Sequence, residues 1–176
     1  MNFKHFTTIA AATAALALPL HADDHESGDI KPTGKAPSKA IQGYWIPDKD
    51  ALLKAMMKKL PEEAKADETA LAAMKGMIET FAGKMAFHFG DGKTEAITPT
   101  GVETSTWKVV SEDAKTGKVK VTITESDGST EEGEAIVGKD KMIMINPKED
   151  MQVLCTRITE EEYKKRLAAA KGAAAP

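Results

Sequence analysis

Lys84-Met85-Ala86-Phe87-His88-Phe89-Gly90-Asp91-Gly92 is the stretch on which the fold turns. Met85, Phe87 and Phe89 alternate with Lys84, Ala86 and His88, so the large apolar side chains share one face of an extended chain. Asp91-Gly92 then supplies the residue pair of a tight hairpin, because glycine readily takes the positive φ such turns need. A strand that ends in a hairpin commits the next one to antiparallel pairing.

The same alternation repeats downstream. A short strand is expected over 94–98, and Pro99-Thr100-Gly101 turns the chain. Ser105, Trp107 and Val109 share one face of the following strand, and 113–117 is another turn. Val119, Val121 and Ile123 alternate with Lys120, Thr122 and Thr124 before the hairpin signal Asp127-Gly128. Further strands are expected near 130–137, 141–145 and 151–158, and Thr159 with Glu162 reads as the capping box of a final helix to about Lys171.

Upstream the period is 3.6. Asp48 caps a helix carrying Leu52, Leu53, Met56, Met57 and Leu60, and Pro61 ends it. Asp67 caps a second helix with Leu71, Met74, Met77, Ile78 and Phe81, for which Gly83 suits the C-terminal cap. Before them, Ile41-Gln42-Gly43-Tyr44-Trp45 reads as the first strand and brings a tryptophan into the core. The expected fold is mainly β: an antiparallel meander of about eight strands with a C-terminal helix. Closure into a barrel removes the two open edges that such a meander would otherwise expose.

The domain is expected over residues 41–171, with a two-helix insertion after the first strand at about 48–82. Residues 1–22 read as a secretory signal peptide: Lys4 and His5 form a basic start, an alanine-rich apolar run follows, and Ala22 precedes Asp23-Asp24. Ala15-Leu16-Ala17 offers a second small-residue cut inside that run. Such a leader implies a periplasmic or secreted protein. Residues 23–40 are poor in apolar side chains and read as a disordered tether, and 172–176 as a frayed tail. The net charge of −3 argues against nucleic acid and anionic membranes as partners, and no further run is long enough for a membrane span. A single cysteine, Cys155, forbids an internal disulfide, so packing must hold the domain together.

Gly43-x-Trp45 on the first strand, the eight-strand meander and Arg157 near the end of the last strand resemble the calycin group, above all lipocalin-like domains, and among these small exported bacterial ones. The resemblance implies that Trp45 sits at the closed end of the barrel with Arg157 packed across it, and that Gly43 belongs to this closure. It also implies a cup for a small apolar molecule. The helix pair is similar in placement to the lid of fatty-acid-binding proteins.

On that reading Trp45, Phe87, Phe89, Trp107, Val121 and Met144 face the interior and are the candidate ligand-binding residues. The same side chains can instead fill the barrel, because eight strands leave room either for side chains or for one small ligand. The molecule would then be an interaction module that offers its methionine-rich helices to a protein partner. Nine methionines suit gap filling in a core; thioether ligation of copper(I) is the alternative. Cleavage after Ala22 would start the mature chain at Asp23-Asp24-His25, whose amine, amides and imidazole form a square-planar site for Cu(II) or Ni(II). His88 is expected in solvent, and Cys155 as an inert buried thiol. Gly90-Asp91-Gly92-Lys93-Thr94 lacks the first glycine and the helix of a phosphate-binding loop. With no nucleophile–base or metal-ligand motif present, the expectation is a protein that is not an enzyme.

Overall fold

The computed structural model describes residues 30–59, 68–148 and 151–173. Eight antiparallel strands follow one another around a closed barrel: β1 (Gly43–Pro47), β2 (Ala86–Phe89), β3 (Lys93–Thr98), β4 (Gly101–Asp113), β5 (Lys118–Thr124), β6 (Thr130–Val137), β7 (Lys141–Asn146) and β8 (Met151–Ile158). Closure is made by β1 against β8, with Trp45 opposite Arg157 and Pro47 opposite Cys155. Helix α1 (Pro37–Ala40) precedes the barrel, α2 (Lys49–Lys59) and α3 (Glu68–Lys84) lie between β1 and β2, and α4 (Glu160–Ala173) follows β8. No described helix is long and apolar enough to cross a membrane.

Period-2 patterning places the core. Trp45, Phe87, Phe89, Ala96, Trp107, Val119, Ile123, Ala135, Met144 and Val153 are buried in one interior cluster. Residues directly across a ladder share a face, so the registers Trp45↔Phe87, Phe87↔Ala96 and Trp107↔Ile123 join these side chains across strands. At the helix starts the capping residues behave as their chemistry dictates. Asp48 Oδ1 accepts the Ala51 N–H at 2.9 Å, and Thr159 Oγ1 accepts the Glu162 N–H at 3.2 Å.

The outer face is also apolar where helix α4 lies. Ala86, Ile97 and Tyr163 are buried together there, with Tyr44, Ile46, Ile158 and Leu167 packed against them. His88 is therefore not a solvated side chain as expected: it is half-buried, stacked on Tyr44 at 4.5 Å between ring centroids, with Tyr163 at 5.8 Å. Tyr163 donates its hydroxyl to Glu95 Oε1 at 2.7 Å.

Several boundaries differ from the sequence reading. Packing against the barrel involves residues before 41: Ile30 is buried against Ile136 and Ile143 on the outer face of β6 and β7, Pro32 bridges to Gly138, and α1 packs at the barrel end. The part of the expected tether from residue 30 onward is a strap over the barrel, held by that one isoleucine and by backbone pairing. Residues 23–29 and the expected signal segment 1–22 lie outside the described residues, as do Leu60, Pro61 and Asp67. Helix α3 runs through Gly83 to Lys84, because Arg166 of α4 donates to the Gly83 carbonyl at 2.8 Å and takes the place of a glycine cap. Residues 172 and 173 belong to α4 and not to a frayed tail. Strand β4 is 13 residues long and outruns β3, whose pairing stops at Lys93↔Thr106. Beyond that point β4 pairs with β5 alone, and the register shifts between Val109 and Ser111. Val109 is consequently 43% exposed, although it shares a ladder face with the core residues.

Candidate functional site

The closed end of the barrel is built around Gly43, Trp45 and Arg157. Trp45 is completely buried and donates its indole N–H to the Ile41 carbonyl at 2.7 Å. Arg157 lies over the indole, with Cζ 4.1 Å from the ring centroid. Its guanidinium donates to three carbonyls: Ala40 at 2.6 Å, Gln42 at 2.8 Å and Lys139 at 2.8 Å. Burial lowers the Arg157 pKa, partly offset by the charge of Asp140, and arginine stays protonated regardless. Gly43 completes the group. Its φ is +129°, and a Cβ there would run into Arg157 Nη1. Trp45, Phe87, Val137, Met142 and Cys155 are all under 2% exposed and outside the cleft lining of β5 to β8, so this part of the interior is solid side chain.

A cleft of about 50 Å³ remains among the inner faces of β5 to β8. Its walls are Val119, Val121, Ile123, Ala135, Met144 and Val153, with Ile41 and Phe89 also in the lining. Gly133 helps to make this space. A Cβ on it would lie 3.3 Å from Ile123 Cδ1 and 3.5 Å from Val121 Cγ2, so a larger side chain would enter the cleft. Asn146 brings polar atoms to the lining, and its Oδ1 accepts the Lys148 N–H at 3.0 Å.

Of the six interior residues expected to contact a ligand, Phe89, Val121 and Met144 line the cleft. Trp45, Phe87 and Trp107 belong to the same core but lie outside the lining, packed among side chains. Sequence reasoning missed Ile41, Gly133, Glu134, Ile145 and Asn146. A glycine in the middle of the alternating strand Thr130–Val137 was the available signal, since such a glycine marks a bulge or a place where something approaches closely.

Carboxylates also stand on the interior face; Glu112, opposite Val119, accepts the Ser38 N–H at 2.8 Å. Glu131 pairs with the buried Ile123, and Glu103 with the buried Ala96. Burial pushes the Glu103 carboxyl above its ordinary range, partly offset by a hydrogen bond with the Thr98 side chain. Cys155 is fully buried on β8, its pKa raised strongly by burial and further by the charge of Asp48, so its thiol stays protonated at neutral pH. Among the described residues no group of three or more His, Cys, Asp or Glu is placed to hold a metal ion. Asp23, Asp24 and His25 lie outside the described residues. On the helices, Met57 and Met77 are 37% and 43% exposed and do not serve the core as their spacing suggested.

Comparison with family models, with curated proteins and with solved structures finds no match for this chain, which stands as a closed eight-stranded antiparallel barrel with a C-terminal helix.

Proposed function

We propose that this chain is an exported, non-catalytic, lipocalin-like protein that takes a narrow apolar group into the cleft between β5 and β8. The single observation that carries this reading is the cleft itself, apolar on most of its wall and opened by the missing side chain of Gly133. Its size narrows the ligand. About 50 Å³ exceeds the roughly 10–15 Å³ that one water needs, but is a third of the roughly 150 Å³ of an engineered cavity that takes benzene. An alkyl chain end fits; a ring requires the walls to move.

The test is a titration of 1-hexanol into protein carrying ¹³C-methyl methionine. Met144 lines the cleft, whereas Met57 and Met77 are exposed on helices, so the expected result is a saturable shift of the Met144 methyl with little change at the other two. Gly133→Leu should abolish the shift while far-UV circular dichroism stays unchanged. Val121→Phe serves as a second block should the glycine variant fold poorly. A Met144 shift that rises linearly and no more than that of Met57 would overturn the reading.

The exposure of Met57 and Met77 favours a second reading, in which the helices α2 and α3 dock a protein partner through flexible apolar side chains. Charged substitutions at both methionines would then abolish partner capture without touching hexanol binding.

A further inference from the structure

Resting on the cleft-binding reading above, we infer that the ligand carries a protonated amine on its short apolar chain, and not a carboxylate. The cleft accommodates the chain, and the wall beside it decides the head group. Glu131 stands directly across the β5–β6 ladder from Ile123, whose side chain lines the cleft. It is two positions before Gly133 on the same face of β6, a separation of about 7 Å along the strand. That is the reach of a head group on a chain whose end lies against Gly133. Glu103, near the start of β4 as Glu131 is near the start of β6, faces the same interior. Burial raises its pKa, and an ammonium group beside it would favour the carboxylate form.

The basic residues of the strands are disposed elsewhere. Strand lysines 93, 108, 118, 120 and 141 are all exposed and alternate with the inward-facing positions. Lys120 is paired at 2.7 Å with Glu134, which shares its outer register although it borders the cleft. Arg157 faces inward, but its guanidinium is held by three carbonyls over Trp45 at the closed end, away from the starts of β4 and β6 where Glu103 and Glu131 stand. A fatty acid with its chain end against Gly133 would thus bring its head group to Glu131 with no cation of the described strands to offset it. Like charges at this range repel and opposite charges attract, more strongly than in bulk water where the wall is apolar.

The experiment compares hexylammonium, 1-hexanol and hexanoate by the Met144 methyl shift at low salt. Hexylammonium is expected to bind about tenfold tighter than hexanoate, with hexanol between them, as suits partly exposed ion pairs. Glu131→Gln, and the double variant with Glu103→Gln, should collapse that order while leaving hexanol affinity unchanged; retained hexanol binding also shows that the variants are folded. Added salt should narrow the difference. Hexanoate binding as tightly as hexylammonium, with hexanol still bound, would overturn the head-group inference and leave the cleft reading standing. Failure of hexanol itself would remove the cleft reading and this inference together.

Discussion

Gly43 and Arg157 fit only as a pair: the space that a Cβ on Gly43 would need is occupied by Arg157 Nη1. The guanidinium can reach the Gln42 carbonyl at 2.8 Å and still lie over Trp45 because Gly43 has no side chain. Gly43→Ala should therefore destabilise the fold by about 2–4 kcal/mol, combining a strained positive φ with steric conflict. In an Arg157→Ala background the conflict vanishes, and the same substitution should cost only about 1–2 kcal/mol. A double-mutant cycle read by urea unfolding checks this. Strictly additive values would show that the two residues do not meet.

Tyr163 gives the fold a dependence on alkaline pH. Burial raises its phenol pKa, and the hydrogen bond and charge of Glu95 raise it further. A group whose folded pKa exceeds its unfolded value stabilises fully below the unfolded value, near pH 10 for tyrosine, and that stability is lost as the pH climbs above it. Urea midpoints should therefore fall above about pH 10, and fall less steeply in Tyr163→Phe. At neutral pH the same variant should lose about 1.5–3 kcal/mol, the range for a hydrogen bond to a charged acceptor. An unchanged alkaline slope would contradict the contact.

The Cys155 thiol should ignore a disulfide reagent such as DTNB in the native state and react only as fast as the protein unfolds, since it is fully buried and held protonated. Rapid labelling of native protein would show that β8 opens locally. Cys155→Ser should cost about 1–3 kcal/mol, because a hydroxyl at that position enters apolar surroundings.

Ile30→Ala should cost about 2–3 kcal/mol, the lower range for a buried isoleucine truncation. The residue is 7% exposed and packs with Ile136 and Ile143 on the outside of the sheet. An effect under about 0.5 kcal/mol, the level of a neutral surface change, would return the strap to the status of a tether.

What could be read from the residues and what could not divide along one physical line. Where a strand is apolar on one face and polar on the other, as in Val119-Lys120-Val121-Thr122-Ile123, alternation reports both its existence and its orientation. Where a second layer covers the outer face, alternation weakens. Tyr44, Trp45 and Ile46 are consecutive because Trp45 faces the core and its neighbours face α4, and His88 is drawn into the same outer layer. The strap fails for another reason: a single isoleucine among polar residues has no period to detect. For the site, the sequence marks which side chains point inward, but not which of them are consumed in packing. That depends on local volume, and Gly133 shows how one absent side chain leaves a space that Trp45 and Phe87 have filled elsewhere.

The β1–β8 seam also imposes a timetable on folding. Six ladders, from β2–β3 to β7–β8, join strands that are successive in the chain across short loops. They cost little loop entropy and can zip up from local contacts. The seam is different, for Arg157 and Gln42 are 115 positions apart. Contacts of that span form late, so weakening them should quicken unfolding more than it slows folding. A chain made from its N-terminus presents β1 at the outset, yet β1 must keep an unpaired edge until nearly every other residue has been added. Throughout that interval it is open to pairing with a neighbouring copy. Slow synthesis and high concentration are thus the conditions under which this barrel is most exposed to misassembly.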